Sequence, residues 1–224
     1  VKQTHRKARK IARNLVQSRP MATQSDKKPT VFIVDDDAAI RFAMQALMDS
    51  VNLNHEIFES GDEFLEKITE QRPGCLVLDI RMPGLGGLEL QEELIKRGNT
   101  LPIIFITGHG DVPMAVEAMQ KGAVDFIQKP FRDQELLDRI REALATDEER
   151  REEQQQHAEV NQRLDRLTNR EREVFDLVVT GKPNKVIAYE LGVSQRTVEI
   201  HRARVMEKMQ ARSLADLVKM HMTA

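Results

Sequence analysis

The stretch CLVLDIRMPGLGG, residues 75–87, decides the fold of this chain. Its first four residues, Cys75 to Leu78, form a short apolar run before turn-forming residues, which is typical of a buried strand. Asp79 stands where that strand ends, because the Pro- and Gly-rich residues 82–87 cannot continue it. In an open parallel sheet, ligands gather outside the carboxyl ends of the strands, so Asp79 is a candidate site residue. A lone aspartate at this place is also a common turn residue, so its meaning depends on the rest of the chain.

Strand-like and helix-like patterns alternate along residues 30–145. The predicted strands are the short apolar runs Val31–Val34, His55–Phe58, Cys75–Leu78, Pro102–Ile106 and Val124–Gln128. A segment with helical spacing of apolar residues follows each of them. Five strands alternating with five helices predict an α/β fold with a doubly wound parallel sheet, (βα)5, and the flavodoxin-like strand order 2-1-3-4-5 is usual at this size.

That strand order predicts a cluster of polar side chains at one edge of the sheet. Asp35 and Asp36 follow the first strand, Asp79 ends the third, Thr107 ends the fourth and Lys129 follows the fifth. Strands one and three lie side by side at the switch point of such a sheet, so their carboxyl ends meet there. The combination is far more specific than any one of its members.

The crowded carboxylates predict a cation site, because like charges repel and all-oxygen ligands suit Mg²⁺. We assign Asp36, Asp79 and the backbone carbonyl of Arg81 as direct ligands, and Asp35 as a ligand that acts mainly through water. We expect Asp37 to be the N-cap of the following helix rather than a ligand.

The same cluster suits phosphoryl transfer, which requires alignment and charge neutralisation more than covalent help. Asp79 is the candidate nucleophile, the ammonium of Lys129 a charge partner, and the Thr107 hydroxyl a donor to a phosphoryl oxygen. A rival hypothesis is a Mg²⁺-dependent aspartyl-phosphate phosphatase that uses Asp35 and Asp37 as a D-x-D pair.

Four motifs resemble the signatures of a bacterial response-regulator receiver domain. They are VDDD at 34–37, LDIRMPG at 78–84, FITGHGD at 105–111 and FIQKPF at 126–131. The resemblance implies that Asp79 accepts a phosphoryl group from a partner histidine kinase and that the domain catalyses only its own phosphorylation and dephosphorylation. It also implies an acidic pair at Asp35 and Asp36, a switch pair at Thr107 and Phe126, and a phosphate contact at Lys129 with a cis bond to Pro130.

The helix predicted over 112–121 has more apolar residues than one buried stripe requires. A fully buried helix and a helix that lends part of its surface to a dimer both fit this pattern. We favour a homodimer contact over residues 112–128, formed on phosphorylation.

Residues 146–166 contain no Gly or Pro and few apolar residues. Such a sequence predicts a polar helical linker between two domains. The receiver prediction then covers 30–145, and a second domain covers 167–224.

The second domain has the pattern of a helix-turn-helix. A capping box at 168–171 opens one helix, and Gly192-Val193-Ser194 is a tight turn between helices at Asn184–Leu191 and Gln195–Met209. The stretches NREREVF, NKVIAYELG and TVEIHRARVMEKM are similar to the four-helix, all-α DNA-binding domain of LuxR/NarL type. Together with the receiver, they make the chain resemble the NarL/FixJ response regulators, and its FixJ-like branch in particular.

The helix at 195–209 is the predicted recognition helix in the DNA major groove. On a helical wheel Val198, Val205 and Met209 share one face, so we expect them in the core. The predicted DNA-binding residues are Lys185, Ser194, Arg196, Thr197, Glu199, Ile200, His201, Ala203, Arg204 and Lys208. The resemblance gives base-reading positions to Glu199, Ile200 and Ala203; a solvated or ion-paired Glu199 is the alternative.

The charge distribution supports two functions in one chain. Residues 1–29 carry a net charge of +8, residues 30–131 of −9, residues 132–167 of −4 and residues 168–224 of +3. A basic end on an acidic body suggests that one domain binds a polyanion. We expect residues 1–29 to be a disordered extension; a nucleic-acid arm, a transit-like segment and sequence upstream of the true start are competing interpretations.

The sequence also limits the location of the protein. We expect no membrane helix, because no apolar run approaches the ~20 residues that one needs, and no secretory signal, because no stretch has its apolar core. Cys75, the only cysteine, cannot form an intramolecular disulfide, so we expect a cytoplasmic protein. We expect the protein to be a transcriptional regulator controlled by phosphorylation, and the resemblance implies an activator. Its expected partners are a sensor histidine kinase and promoter DNA, and RNA polymerase is a candidate third partner. A DNA-binding protein insensitive to phosphorylation is a second rival.

Overall fold

A parallel five-stranded sheet forms the centre of the first of two structural units. The computed structural model describes residues 28–108 and 112–224, and the chain divides into units 1–148 and 149–224. The predicted disordered extension therefore lies, up to residue 27, outside the described residues. No helix in the described part of the chain combines the length and the apolar character needed to cross a membrane.

The strands of the first unit pair in the order β2-β1-β3-β4-β5, all parallel. This confirms the order predicted from the sequence. The strands are β1 (Thr30–Val34), β2 (His55–Phe58), β3 (Gly74–Asp79), β4 (Ile103–Thr107) and β5 (Asp125–Gln128). The intervening helices are α1 (Ala38–Ser50), α2 (Gly61–Lys67), α3 (Gly87–Lys96) and α4 (Val112–Gln120).

The two faces of the sheet carry separate apolar cores, because alternate side chains of a strand point to opposite faces. Phe32, Leu76 and Phe105 pack on one face with residues of α2 and α3. Ile33 and Val77 pack on the other face with residues of α1 and with Leu136 and Ile140. The central strands are buried on both faces, so they appear in the sequence as continuous apolar runs rather than alternating ones. Cys75 belongs to the second core, and burial raises the pKa of its thiol to about 12.

The long helix α5 (Asp133–Leu164) is a single element. It includes most of the predicted linker, which lacks any helix-breaking residue. Asp147, although charged, is buried in the first unit, and its carboxylate accepts the backbone N–H of Gly74 at 2.9 Å. The last turns of α5 place Val160 and Leu164 in the apolar core of the second unit.

The second unit adds four helices to the end of α5. They are α6 (Asn169–Val179), α7 (Asn184–Leu191), α8 (Gln195–Met209) and α9 (Leu214–Thr223). The capping box predicted at 168–171 is formed, with the Thr168 hydroxyl and the Glu171 carboxylate each accepting the other residue's backbone N–H. Between α7 and α8, Gly192 takes the left-handed conformation (φ 64°), which glycine adopts without strain.

Candidate functional site

The residues predicted at the sheet edge converge there. Oxygen atoms of Asp35, Asp36 and Asp79 lie within 4.8 Å of one another. The Nζ atom of Lys129 stands 2.9 Å from Asp35 Oδ2 and 3.2 Å from Asp79 Oδ2. Thr107 ends β4, the strand beside β3. The parallel topology thus brings five side chains from four strand ends to one edge.

Hydrogen bonds fix the segment that joins β1 to helix α1 and carries Asp35 and Asp36. Asp35 Oδ1 accepts the backbone N–H of Asp37 at 2.9 Å, and Asp37 in turn caps helix α1 by accepting the N–H of Ala39 at 2.8 Å. The predicted N-cap role of Asp37 is therefore confirmed. On the far side of the cluster, a side chain on Gly87 would have its Cβ 2.3 Å from the carbonyl oxygen of Asp79, so only glycine fits there.

Burial and charge act against each other at Asp79. Desolvation raises the pKa of the Asp79 carboxyl and the neighbouring Asp35 adds to the rise, while Lys129 partly opposes both. For Lys129, desolvation by itself lowers the pKa, but the hydrogen bond and charge of Asp35, together with Asp79, raise it overall. The lysine therefore stays charged at neutral pH, and its charge partly offsets the rise in the pKa of Asp79.

The donor set fits the cation that the sequence predicts. Three carboxylates with one ammonium leave an uncompensated negative charge, and hard oxygen ligands at this spacing suit Mg²⁺. The backbone N–H of Arg81 donates to the Asp79 carboxylate, which brings the main chain of this residue to the cluster.

The two predicted switch residues differ in their surroundings. The Thr107 hydroxyl donates to the carbonyl of Gly108 at 3.1 Å. Phe126 leaves 41% of its surface exposed. Val116 and Met119 of α4, and Val124 and Phe126 at β5, are also exposed apolar residues, and we call these four residues the α4-β5 face.

The predicted recognition helix is α8, with Ser194 as its N-cap. Val198, Val205 and Met209 are fully buried, as the helical wheel predicts. The predicted DNA-binding residues that are exposed on this unit are Lys185, Ser194, Arg196, Glu199, Ile200, Ala203 and Arg204.

Three other predicted DNA contacts are only partly exposed. The Thr197 hydroxyl is within 2.8 Å of the Ser194 hydroxyl. The Nδ1 atom of His201 is buried, with no hydrogen-bond partner among the described residues. The ammonium of Lys208 lies 2.5 Å from a carboxylate oxygen of Glu171, a contact that the sequence reading does not anticipate.

Arg41 also lies at the site, although no motif in the sequence predicts it there. Its guanidinium donates to the backbone carbonyl of Asp35 at 2.8 Å, next to the acidic cluster. The available signal is its position four residues after the N-cap Asp37, because helical side chains lean toward the N-terminus of their helix. This contact helps to fix the main chain that carries the acidic pair.

Two family models match the chain. Residues 31–141 match the response regulator receiver domain, and residues 165–221 match the bacterial regulatory proteins of the luxR family.

Relatives of known sequence and structure match most of the chain. Nodulation protein W of Bradyrhizobium diazoefficiens is 49% identical over 201 residues, which are 90% of this chain and 88% of that protein. Transcriptional regulatory protein FixJ of Azorhizobium caulinodans is 45% identical over 87% of this chain and 92% of its own length. The solved structure of the response regulator StyR superposes with a TM-score of 0.81 at 45% identity, over 88% of this chain and all of that one. The chain therefore belongs to the response regulators that join a receiver domain to a LuxR-type DNA-binding domain, and it regulates transcription under the control of phosphorylation.

Proposed function

We propose that Asp79 is the phosphoacceptor and that a sensor histidine kinase is the donor. The observation that carries this proposal is the position of the Asp79 carboxylate at the sheet edge, 3.2 Å from Lys129 and clustered with Asp35 and Asp36. In the transfer, an Asp79 oxygen forms a bond to phosphorus while the bond from phosphorus to the histidine nitrogen of the kinase breaks, and that nitrogen keeps the electron pair.

The neighbours of Asp79 have separate tasks in this reaction. Asp36, Asp79 and the Arg81 carbonyl, with Asp35 through water, would hold Mg²⁺, which when bound neutralises charge on the phosphoryl oxygens. Lys129 binds a phosphoryl oxygen from the other side of the cluster, and before the transfer its charge partly opposes the rise in the pKa of Asp79. The domain performs this chemistry only on itself, so the chain is a regulator and not an enzyme that turns over a separate substrate.

The transferred group then drives the switch. It adds a charge of roughly −1.5 to −2 and three acceptor oxygens. The Thr107 hydroxyl, which now donates to Gly108 at 3.1 Å, turns to a phosphoryl oxygen and leaves space behind it. Phe126 moves from its exposed position into that space, which changes the surface over residues 112–128.

The changed surface favours a homodimer. The α4-β5 face exposes 50% of Val116 as well as parts of Met119, Val124 and Phe126. Grouped apolar side chains at a protein surface are a common contact between subunits. Dimerisation brings two DNA-binding domains together, which matches the paired half-sites that helix-turn-helix dimers bind.

Helix α8 enters the major groove of promoter DNA in this proposal. Glu199, Ile200 and Ala203 are exposed on it and face the bases: a carboxylate can accept from cytosine N4, and apolar groups can meet thymine methyls. Positions suited to backbone phosphates are Lys185, Ser194, Arg196, Thr197, His201 and Arg204. Because its target is bacterial promoter DNA, the regulator acts in the cytoplasm, where activation includes a contact with RNA polymerase.

The test is the labelling of the full-length chain by acetyl phosphate with Mg²⁺. Asp79→Asn abolishes labelling and any effect of acetyl phosphate on DNA binding in a gel shift. Asp37→Asn is the matched control, since asparagine is an equally good N-cap and the cluster stays intact. Undiminished labelling of Asp79→Asn would refute the assignment. A gel shift that is identical with and without acetyl phosphate would favour a phosphorylation-insensitive DNA-binding protein, and turnover of added phosphomonoesters a phosphatase.

A further inference from the structure

Lys208 holds three segments of the second unit together. Its Nζ atom lies on α8 and contacts Glu171 Oε2 at 2.5 Å and the carbonyl oxygen of Arg166 at 3.1 Å. Glu171 belongs to the first turn of α6, and Arg166 to the turn after α5. One ammonium therefore joins the last turn of α8 to the start of α6 and to the turn that follows α5.

The carboxylate in this contact is buried and has a second task. Only 2% of Glu171 is exposed, and its Oε2 atom also accepts the backbone N–H of Thr168 at 2.9 Å as part of the capping box. The hydrogen bond from Lys208 and the one from Thr168 lower the pKa of Glu171 to about 2. A buried carboxylate requires a partner, and Glu171 holds the ammonium of Lys208 as that partner, although 34% of the Lys208 side chain is exposed.

Lys208 lies at the opposite end of α8 from the N-cap Ser194. Helical rise places it about 18 Å along the axis from Arg196, near the start of the helix. The base-facing residues lie between positions 199 and 203 of α8, whereas Lys208 is in its last turn and is followed directly by the fully buried Met209. A helix is stiff over this length, so a contact that fixes the axis and rotation of its last turn also orients its first turns.

We propose that Lys208 is a positioning residue that orients the recognition helix through Glu171 and Arg166, and that it does not neutralise a DNA phosphate. The inference rests on the proposed function of α8 in DNA binding. It replaces the assignment that the helical wheel suggests, in which Lys208 flanks the DNA face as a phosphate contact.

The two roles predict different responses of DNA binding. A phosphate contact supplies sequence-independent affinity, and its loss reduces the salt slope of log K by about 0.9. A positioning residue leaves the salt slope unchanged and instead weakens discrimination between sequences, because base contacts depend on the orientation of the helix. The two roles also predict different effects of neutralising Glu171. If Lys208 binds a phosphate, losing the carboxylate frees the lysine for DNA; if Lys208 positions the helix, losing the carboxylate removes the contact through which it acts.

The experiment uses the full-length chain, treated with acetyl phosphate, and two fluorescent duplexes. One is selected from a random pool for tight binding to the wild-type chain, and the other is an unselected duplex of equal length. Anisotropy titrations over a range of salt concentrations compare wild type with Lys208→Gln, Glu171→Gln, the double variant and Lys208→Arg. The matched control is Arg204→Gln, a basic residue of the same helix that is exposed.

We expect Lys208→Gln and Glu171→Gln each to lower the affinity ratio of selected to unselected duplex by about 10-fold, the range of one lost base contact. The double variant should lose no more than either single variant, Lys208→Arg should retain most of the ratio, and only Arg204→Gln should reduce the salt slope. A lower slope in Lys208→Gln, with undiminished binding by Glu171→Gln, would overturn the proposal. Equal losses on both duplexes, restored by cooling, would overturn it as well, since they indicate a smaller folded fraction. Failure of the wild-type chain to select any duplex would instead refute DNA binding by this unit.

Discussion

Replacing Lys129 with methionine tests the charge balance of the phosphorylation site. Methionine keeps most of the aliphatic stem and removes only the ammonium, which lies 2.9 Å from Asp35 and 3.2 Å from Asp79. Each contact corresponds to about 5–6 kcal/mol of Coulomb energy at an effective dielectric constant near 20, but desolvation of the ions cancels most of it. Breaking a buried pair costs about 3–5 kcal/mol.

Lys129 remains 24% exposed, although the carboxylate of Asp35 is almost completely buried. Solvent screening therefore reduces the cost, and we expect the receiver to lose about 2–3 kcal/mol of stability in EDTA. A domain of this size shifts its Tm by about 4 °C per kcal/mol, so the expected decrease is about 8–12 °C. Added Mg²⁺ restores a larger part of the stability in the variant than in wild type, because a cation then replaces the missing ammonium. Labelling by acetyl phosphate slows by about 100-fold, the usual effect of removing one charge donor from a reacting centre.

Scanning calorimetry of the full-length chain measures the loss of stability. The unfolding transition of the receiver is identified as the one whose Tm changes when Mg²⁺ is added. Lys121→Met is the control, because Lys121 also contacts two carboxylates, Glu92 at 2.7 Å and Glu117 at 2.6 Å, but on the surface. Such surface pairs are screened by solvent and contribute little, so this variant should lose little stability and keep its labelling rate. If Lys129→Met matched Lys121→Met in both measurements, the role of Lys129 as the charge partner of the site would be wrong.

Three further predictions concern other buried or clustered polar side chains. Asp36→Asn should weaken Mg²⁺ binding by about 10-fold or more in a thermal-shift titration, whereas Asp37→Asn should not; equal affinities would exclude Asp36 as a ligand. Gln91→Leu removes a hydrogen bond to the Ala118 carbonyl, but it also removes a buried Oε1 atom that has no partner among the described residues. We expect calorimetry to show a gain in stability of about 1 kcal/mol, and a loss of stability would contradict this reasoning. The pKa of Glu171 is about 2 in the folded chain and 4.5 in the unfolded chain. The ionised carboxylate therefore contributes its full stabilisation of the folded state above pH 4.5, and this stabilisation disappears as the pH falls toward 2. Glu171→Gln should flatten this part of the acid-unfolding curve measured by circular dichroism.

The fold and the acidic cluster could be predicted from the sequence because their signals are local. Strands of the doubly wound sheet are continuous apolar runs, and turn-forming residues mark where each of them ends. Once the strand order is 2-1-3-4-5, parallel topology forces the carboxyl ends of β1 and β3 together, so Asp35, Asp36 and Asp79 must meet. The cis bond between Lys129 and Pro130, expected from the resemblance, is also present.

Contacts between distant segments could not be predicted in this way. The buried Asp147 accepts the N–H of Gly74, 73 positions earlier, and Gln91 of α3 donates to Ala118 of α4. In the sequence, Asp147 is one acid among many in a polar helix. Nothing in its immediate neighbours distinguishes a carboxylate that satisfies a strand N–H from one that faces water.

Lys208 illustrates the difference between what the sequence predicts and what only the tertiary structure shows. The sequence by itself determined that α8 is a helix, which of its faces is buried, and that a receiver sheet gathers its acids at one edge, since periodicity and strand order depend only on local spacing. Only the tertiary structure decided what stands opposite each polar side chain: Glu171 lies 37 positions before Lys208 and meets it because α6 packs beside α8. A helical wheel gives the direction of a side chain but not its partner, and the partner decides whether a lysine binds DNA or holds the helix that does.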